Sequence, residues 1–302
     1  MTNLYGLGTA LITPFLDNGE VDFPALERLL HKQIAGGVDY IVVLGTTGEA
    51  ATMTNEERTA VREFIIRFIE AHPSPVTLRP LPLVLGVGGN CTAQVIKQLN
   101  ELNDTLIRHF AAILSVCPYY NKPSQEGLYQ HFSAIAQASP VPVLLYNVPG
   151  RTGVNLLPET VMRLYNAQPD KICGIKEASG NVEQIKRLIT LAASASNDFL
   201  VISGDDGIAA ELMQAGAAGL ISVASNAFPE NFRRIVHEKD SDMQARYAEM
   251  VRLLFAEGNP SGIKTTLAHM GLISNCLRLP LVPNSDMIQK KICTELNSLS
   301  KI

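Results

Sequence analysis

The chain has 302 residues, 46% of them hydrophobic, which is enough for one large core, and its net charge is −4 with both signs spread along it. No basic block points to nucleic acid, and no apolar run approaches the roughly 20 residues that cross a bilayer. The opening Met1-Thr2-Asn3-Leu4 lacks the charged-then-apolar pattern of an export signal, and five widely spaced cysteines (91, 117, 173, 276, 293) read as reduced core residues of a cytoplasmic protein.

The first strand is expected over 7–15, followed by a helix over 22–35 with Asp22 as N-cap and Leu26, Leu29, Leu30 and Ile34 on one stripe. The second strand, 40–46, runs into Gly45-Thr46-Thr47-Gly48-Glu49. Thr54 and Glu57 then form a capping box ahead of Val61, Ile65 and Phe68. A proline-rich loop over 73–82 leads to the third strand at 83–88. The fourth, 111–118, ends in Pro118-Tyr119-Tyr120-Asn121, and the fifth, 142–149, contains Tyr146 and leads to Arg151. Pro158 suits the first turn of a helix. The sixth strand, 171–179, carries Lys176, and Asn181 with Gln184 repeats the capping box before Ile185, Leu188 and Ile189. The seventh, 199–206, ends in Ser203-Gly204-Asp205-Asp206, and the eighth, 219–225, holds Ile221-Ser222. Further helices are expected over 229–236, 244–257 and 262–270.

Most of the strand runs are continuously apolar, as parallel strands covered on both faces are. Eight strands with seven intervening helices predict an α/β fold, a (β/α)8 TIM barrel over residues 1–228. The last barrel helix and a C-terminal helical extension are expected over 229–302. An open doubly wound sheet is the alternative. Gly86-Val87-Gly88-Gly89-Asn90 follows a strand but lacks the last glycine of a dinucleotide fingerprint.

A lysine in a buried strand is costly as a cation. Lowering its pKa relieves the cost and leaves an amine that can attack a ketone to form a Schiff base. The plainer reading is that Lys176 reaches water or pairs with Glu177. A barrel enzyme builds its site at the C-terminal ends of the strands. That is where Thr46, Thr47, Tyr119, Tyr120, Tyr146, Arg151, Gly204 and Ile221 fall. Each has an ordinary reading: turn threonines, packing tyrosines with a wet tip, a surface arginine. Asp205 and Asp206 read as caps of the next helix. Their convergence on a lysine favours imine chemistry. The histidines at 31, 72, 109, 131, 237 and 269 show no metal-ligand spacing, and there is no Cys-x-x-Cys, Walker loop or Gly-x-Ser-x-Gly. Neither a metal nor a cofactor is needed.

Four segments, Gly45-Thr46-Thr47-Gly48-Glu49, Pro118-Tyr119-Tyr120-Asn121-Lys122-Pro123, Tyr146-Asn147-Val148-Pro149-Gly150-Arg151-Thr152-Gly153 and Gly174-Ile175-Lys176-Glu177-Ala178-Ser179-Gly180, carry a family likeness. Together they resemble the dihydrodipicolinate synthase and N-acetylneuraminate lyase family of pyruvate-dependent class I aldolases, over about residues 7 to 279. The resemblance implies a (β/α)8 barrel with a C-terminal helical region, commonly a homotetramer built as a dimer of dimers. The synthase branch, which condenses pyruvate with L-aspartate 4-semialdehyde toward diaminopimelate and lysine, is the better match. Its members place an arginine at the position of Arg151 for the carboxylate of the semialdehyde, and the Thr46-Thr47 pair also fits. On this resemblance Lys176 forms the imine, Tyr146 relays protons, and Thr46 links the Tyr146 hydroxyl to that of Tyr120. Tyr120 would reach in from a neighbouring subunit. Backbone N–H groups of Thr46 and Thr47 would hold the pyruvate carboxylate, and Gly204 and Ile221 would line the pocket.

Two departures accompany the likeness. Lysine-inhibited members of one type carry histidines and a glutamate where this chain has Asn55, Arg58 and Gln94, so ordinary feedback by lysine is not expected. Ala50, Ala51, Asn90 and Tyr119 complete the candidate effector cleft and leave room for an altered site. Asn259-Pro260-Ser261-Gly262-Ile263-Lys264 differs from the family's Asn-Pro-hydrophobic-Pro-hydrophobic-Lys, which is expected to affect a helix start and not the chemistry. Two other readings stand beside the synthase: a family aldolase acting on a sialic acid or 2-keto-3-deoxy sugar acid, and a non-catalytic binding or regulatory relative. Retention of Lys176, Tyr146, Tyr120 and Thr46 together weighs against the second.

Overall fold

The computed structural model describes residues 4–102, 104–195 and 198–300. Residues 1–3 and 301–302, at the outer ends of the two expected regions, lie outside the described residues. Eight parallel strands close into a barrel in chain order: β1 Gly6–Ala10, β2 Tyr40–Val43, β3 Leu83–Gly86, β4 Ala112–Val116, β5 Val143–Asn147, β6 Ile172–Glu177, β7 Leu200–Ser203 and β8 Gly219–Ser222. Closure comes from β1 and β8, where Gly6 to Thr9 pair with Gly219 to Ser222. Every strand is shorter than its apolar run. The runs at 40–46 and 199–206 pass from the ladder into 3-10 turns at Thr46–Gly48 and Asp206–Ile208, so the surplus residues build the barrel's rim.

A principal helix follows each strand: α1 Phe23–Ala35, α2 Asn55–Ala71, α3 Thr92–Glu101, α4 Gln125–Ala138, α5 Pro158–Ala167, α6 Val182–Ala195, α7 Ala209–Gln214 and α8 Pro229–His237. The N-cap signals at the first two helices are realised. Asp22 accepts from the Ala25 amide, and Thr54 and Glu57 cap each other's backbone. The second expected capping box is only half made. Asn181 accepts from the Gln184 amide, but the Gln184 side chain turns away to Asn155 and Glu177. Buried polar groups in need of partners outcompete the exposed cap amide.

The barrel interior is a small apolar cluster that includes Val42, Val84, Leu114, Leu144, Ile202 and Ile221, while the larger core lies between strands and helices. A Cβ on Gly8 would overlap the fully buried ring of Tyr40, which therefore lies flat across β1. Beyond α8 the extension contains α9 Ser241–Phe255, α10 Ser261–His269 and α11 Asp286–Leu299. The last was not recognised separately from the sequence; only Ile288 and Ile292 of its residues are fully covered. α9 packs on the 3-10 turn after β7, and α10 on the turn Ala224–Asn226 after β8. The extension thus sits over the C-terminal rim of the barrel. Only Cys117 of the five cysteines is buried, and all five are unpaired, so the reading of them all as core residues is corrected.

Candidate active site

Lys176 and Tyr146 are register partners on β6 and β5. Both are 6% exposed, and the lysine Nζ lies 4.4 Å from the centre of the tyrosine ring. Strand alternation sends Lys176 inward and its neighbour Glu177 to the opposite face. The Glu177 carboxylate accepts from Asn147 Nδ2 (3.2 and 3.0 Å), the Ser179 amide (2.8 Å) and Gln184 Nε2 (3.3 Å). Burial pushes its pKa up against the pull of those hydrogen bonds. The reading of Glu177 as the ion partner of Lys176 is therefore corrected; it ties β6 to β5 and to the start of α6.

Gly204 lies directly alongside the lysine. A Cβ there would come within 2.9 Å of Lys176 Cε and 2.7 Å of Ala178 Cβ, so only glycine lets β7's end pass so close. Ile221, on β8, is buried in the barrel interior. Asp205 caps the next turn by accepting from the Gly207 amide at 2.8 Å. Asp206 does not cap; it is buried and accepts from the amides of Val223 (3.0 Å) and Ala224 (3.2 Å), fixing the turn after β8. Burial pushes its pKa up to about 6, against the pull of those hydrogen bonds.

After β2 the chain turns sharply. Thr46 is exposed, whereas Thr47 is buried and its Oγ1 accepts from Asn259 Nδ2 at 3.0 Å. Arg151 sits on the single helical turn Pro149–Thr152 and donates from Nη2 to the Asn259 carbonyl at 3.2 Å. Asn259 thus touches both the Thr46-Thr47 turn and the expected carboxylate-binding arginine. The residues that depart from the family pattern, Ser261 and Gly262, open the helix Ser261–His269, while Asn259, which matches the pattern, makes these two contacts. The contact with Thr47 was invisible in sequence because it joins residues 212 positions apart.

Tyr120 is 88% exposed and adopts φ +75°, a conformation costly for a bulky residue. No hydrogen bond joins its hydroxyl to Thr46, nor Thr46 to Tyr146, among the described residues, so the expected hydroxyl relay is not closed within one chain. The residues of the candidate effector cleft occupy the rim nearby. Arg58 is committed to the Met53 carbonyl through Nε (3.1 Å) and Nη2 (3.0 Å), and the Asn90 carbonyl accepts from Asn121 at 2.8 Å. Ala50 is half-buried, and Ala51, Asn55, Gln94 and Tyr119 are exposed.

A cavity of about 650 Å³ lies at the other end of the barrel, lined by Gly6, Asp39, Arg79, Arg233 and His237 among others. It is remote from Lys176, on the face that barrel enzymes use for stability, and is not the candidate site. No helix among the described residues is long and apolar enough to cross a membrane, and no three of their His, Cys, Asp or Glu side chains gather as a metal would require.

The chain as a whole is similar to known proteins. The family model described as the dihydrodipicolinate synthetase family matches residues 3–299. A 4-hydroxy-tetrahydrodipicolinate synthase from Parabacteroides distasonis is 46% identical, covering 99% of this chain and 98% of its own. The structure of the chloride-inhibited dihydrodipicolinate synthase from Acinetobacter baumannii, complexed with pyruvate, is 39% identical with a TM-score of 0.88, covering 99% of this chain and 100% of its own. A monomeric dihydrodipicolinate synthase variant also matches at a TM-score of 0.88 and 37% identity, covering 100% and 98%.

Proposed function

This chain belongs to the dihydrodipicolinate synthetase family, and on that premise we propose how its residues condense pyruvate with L-aspartate 4-semialdehyde to 4-hydroxy-tetrahydrodipicolinate, on the way to diaminopimelate and lysine. The observation that carries the reading is the buried Lys176 beside Tyr146 at the C-terminal end of the barrel.

The Lys176 amine adds to the ketone carbon of pyruvate, water leaves, and a protonated imine results. That imine draws electrons from the adjacent methyl group, which loses a proton to give an enamine, a carbon nucleophile at neutral pH. The enamine adds to the aldehyde carbon. The amine of the semialdehyde then attacks the imine carbon, closes the ring and frees Lys176. Tyr146 moves the protons, with Thr46 and Tyr120 completing a relay of hydroxyls that places no fixed charge beside the imine. The amides of Thr46 and Thr47 hold the pyruvate carboxylate, Arg151 holds that of the semialdehyde, and Gly204 and Ile221 shape the pocket. We further propose that the working form is a homotetramer. The exposed Tyr120, held out at positive φ, supports its entry into a neighbour's site. The unpaired cysteines suit a reducing compartment and support a cytoplasmic location. The altered cleft around Asn55, Arg58 and Gln94 argues against ordinary inhibition by lysine.

Borohydride reduction in the presence of pyruvate tests the scheme. A single stable adduct on Lys176 is expected, and Lys176→Ala removes it; labelling that persists in that variant would assign the imine to another lysine. Arg151→Ala keeps the adduct but lowers kcat/KM for the semialdehyde by on the order of a hundredfold, as loss of a charged carboxylate contact does. Normal condensation in that variant would remove Arg151 from the scheme.

A further inference from the structure

The turn Thr46–Gly48 ends on Glu49, whose backbone is left-handed at φ +53° and whose amide donates to the Thr46 carbonyl at 3.2 Å. A glutamate in that conformation costs roughly 1–2 kcal/mol, so something must hold it there. Its carboxylate is buried and forms an ion pair with Lys264, which is itself 0% exposed. The same carboxylate accepts from the Arg278 amide at 3.2 Å. Lys264 in turn donates to the Cys276 carbonyl at 3.0 Å and lies 4.1 Å from the centre of the Phe15 ring. Asn259, a few residues before Lys264, adds the bond to Thr47. From the barrel side Thr13 Oγ1 donates to the Gly48 carbonyl at 2.8 Å, while the partners of Thr47 and of the Glu49 carboxylate come from the extension.

A buried ion pair is a poor device for stability alone, because an apolar pair of similar volume commonly does as well or better. What it supplies is a defined direction. The Glu49 amide holds the Thr46 carbonyl, which lies in the same peptide plane as the Thr47 amide, so anchoring Glu49 fixes where that amide points. We infer that Glu49 and Lys264 are positioning residues through which the C-terminal extension aims the turn that receives the pyruvate carboxylate. Neither touches the reacting atoms. The inference rests on the reading of Thr46 and Thr47 given above.

The test uses the full-length protein and pyruvate-dependent borohydride labelling, which needs no second substrate. Glu49→Gln and the double variant Glu49→Gln/Lys264→Met are compared with the unaltered chain. The double variant removes both charges and leaves no unpaired buried ion, so it keeps a cooperative melting transition. In both variants the pyruvate concentration giving half-maximal labelling rises at least tenfold. Labelling at saturation stays complete, and KM for the semialdehyde changes less than twofold. Half-maximal labelling at the unaltered concentration in the double variant would overturn the positioning role, as would an equal loss for both substrates. Absence of any adduct in the unaltered protein would instead overturn the imine reading on which this inference stands.

Discussion

Two buried side chains titrate in opposite directions in the same acid range. Burial raises Asp206 to about 6 and lowers His131 to about 4. For Asp206 the folded state keeps its proton after the unfolded chain has lost it. Its contribution is therefore greatest below about pH 4 and falls as pH rises to about 6. For His131 the unfolded chain takes up the proton first, so its contribution is complete above about pH 6.5 and falls as pH drops toward 4. Asp206→Asn keeps an acceptor for the Val223 and Ala224 amides and removes only the first slope. Urea unfolding at intervals from pH 4 to 7 should show the variant gaining stability relative to the unaltered chain as pH rises through this window; parallel curves would mean that Asp206 does not titrate there. At Gly204, alanine would press on Lys176 Cε and Ala178 Cβ. It should slow imine formation by on the order of a hundredfold, since a displacement of about 1 Å has that effect; unchanged labelling kinetics would show that the lysine can move aside. The inward position of Lys176 at the C-terminal end of a strand was legible from strand phase, and the closeness of Gly204 to it was expected only by resemblance. The partners of Glu177 and Asp206 were not legible, because a sequence shows which face a residue takes but not what waits on it.

At the scale of the element, helix starts were more legible than strand ends. Thr54, Glu57 and Pro158 act through neighbours within three or four positions, so their patterns are local. The strands at 40–46 and 199–206 stop early because pairing, not hydrophobicity, decides where a ladder ends, and pairing depends on strands far away in the chain. α2 shows both effects. Its N-terminus is capped locally by Thr54, yet Glu57 also binds the Arg278 guanidinium, from Nη1 at 2.7 Å and Nη2 at 2.5 Å. That contact first, with burial opposing it, holds the Glu57 carboxyl down at about 2. A depressed carboxylate contributes above about pH 4.5 and loses its contribution as pH falls toward 2. Thr54→Ala should lower stability by about 1 kcal/mol, the usual value of an N-cap, as read from the shift in the urea midpoint. A much larger loss would mean that the cap also supports the Glu57–Arg278 bridge.

The whole barrel was legible because eight apolar runs alternating with amphipathic helices admit few architectures, and the comparisons agree with it across the full chain. The extension was foreseen as helical, but its hold on the catalytic rim was not, since nothing in residues 259–278 marks them as neighbours of residues 47 to 57. The proposed assembly rests on resemblance alone. Subunit mixing tests it directly. Protomers carrying Tyr120→Phe and protomers carrying Lys176→Ala are each expected to be nearly inactive alone. If Tyr120 serves a partner's site in a two-fold dimer, exchange should restore roughly a quarter of normal activity, because half of the sites in each mixed dimer are intact. No recovery after demonstrated exchange would place Tyr120 in its own subunit's site or outside the reaction.

The bond from the Arg278 amide to Glu49 spans 229 residues. During synthesis the Thr46–Gly48 turn emerges early, with Thr13 already able to hold the Gly48 carbonyl at 2.8 Å, and the lysine strand and the closing β8 strand follow, yet the residues that hold Thr47 and the Glu49 carboxylate emerge after all of them. A nascent chain can therefore finish its barrel on the ribosome while the Glu49 carboxylate still lacks both Lys264 and the Arg278 amide. On the proposed roles, fragments released before residue 278 would carry Lys176 without the anchors that aim its pyruvate-binding turn.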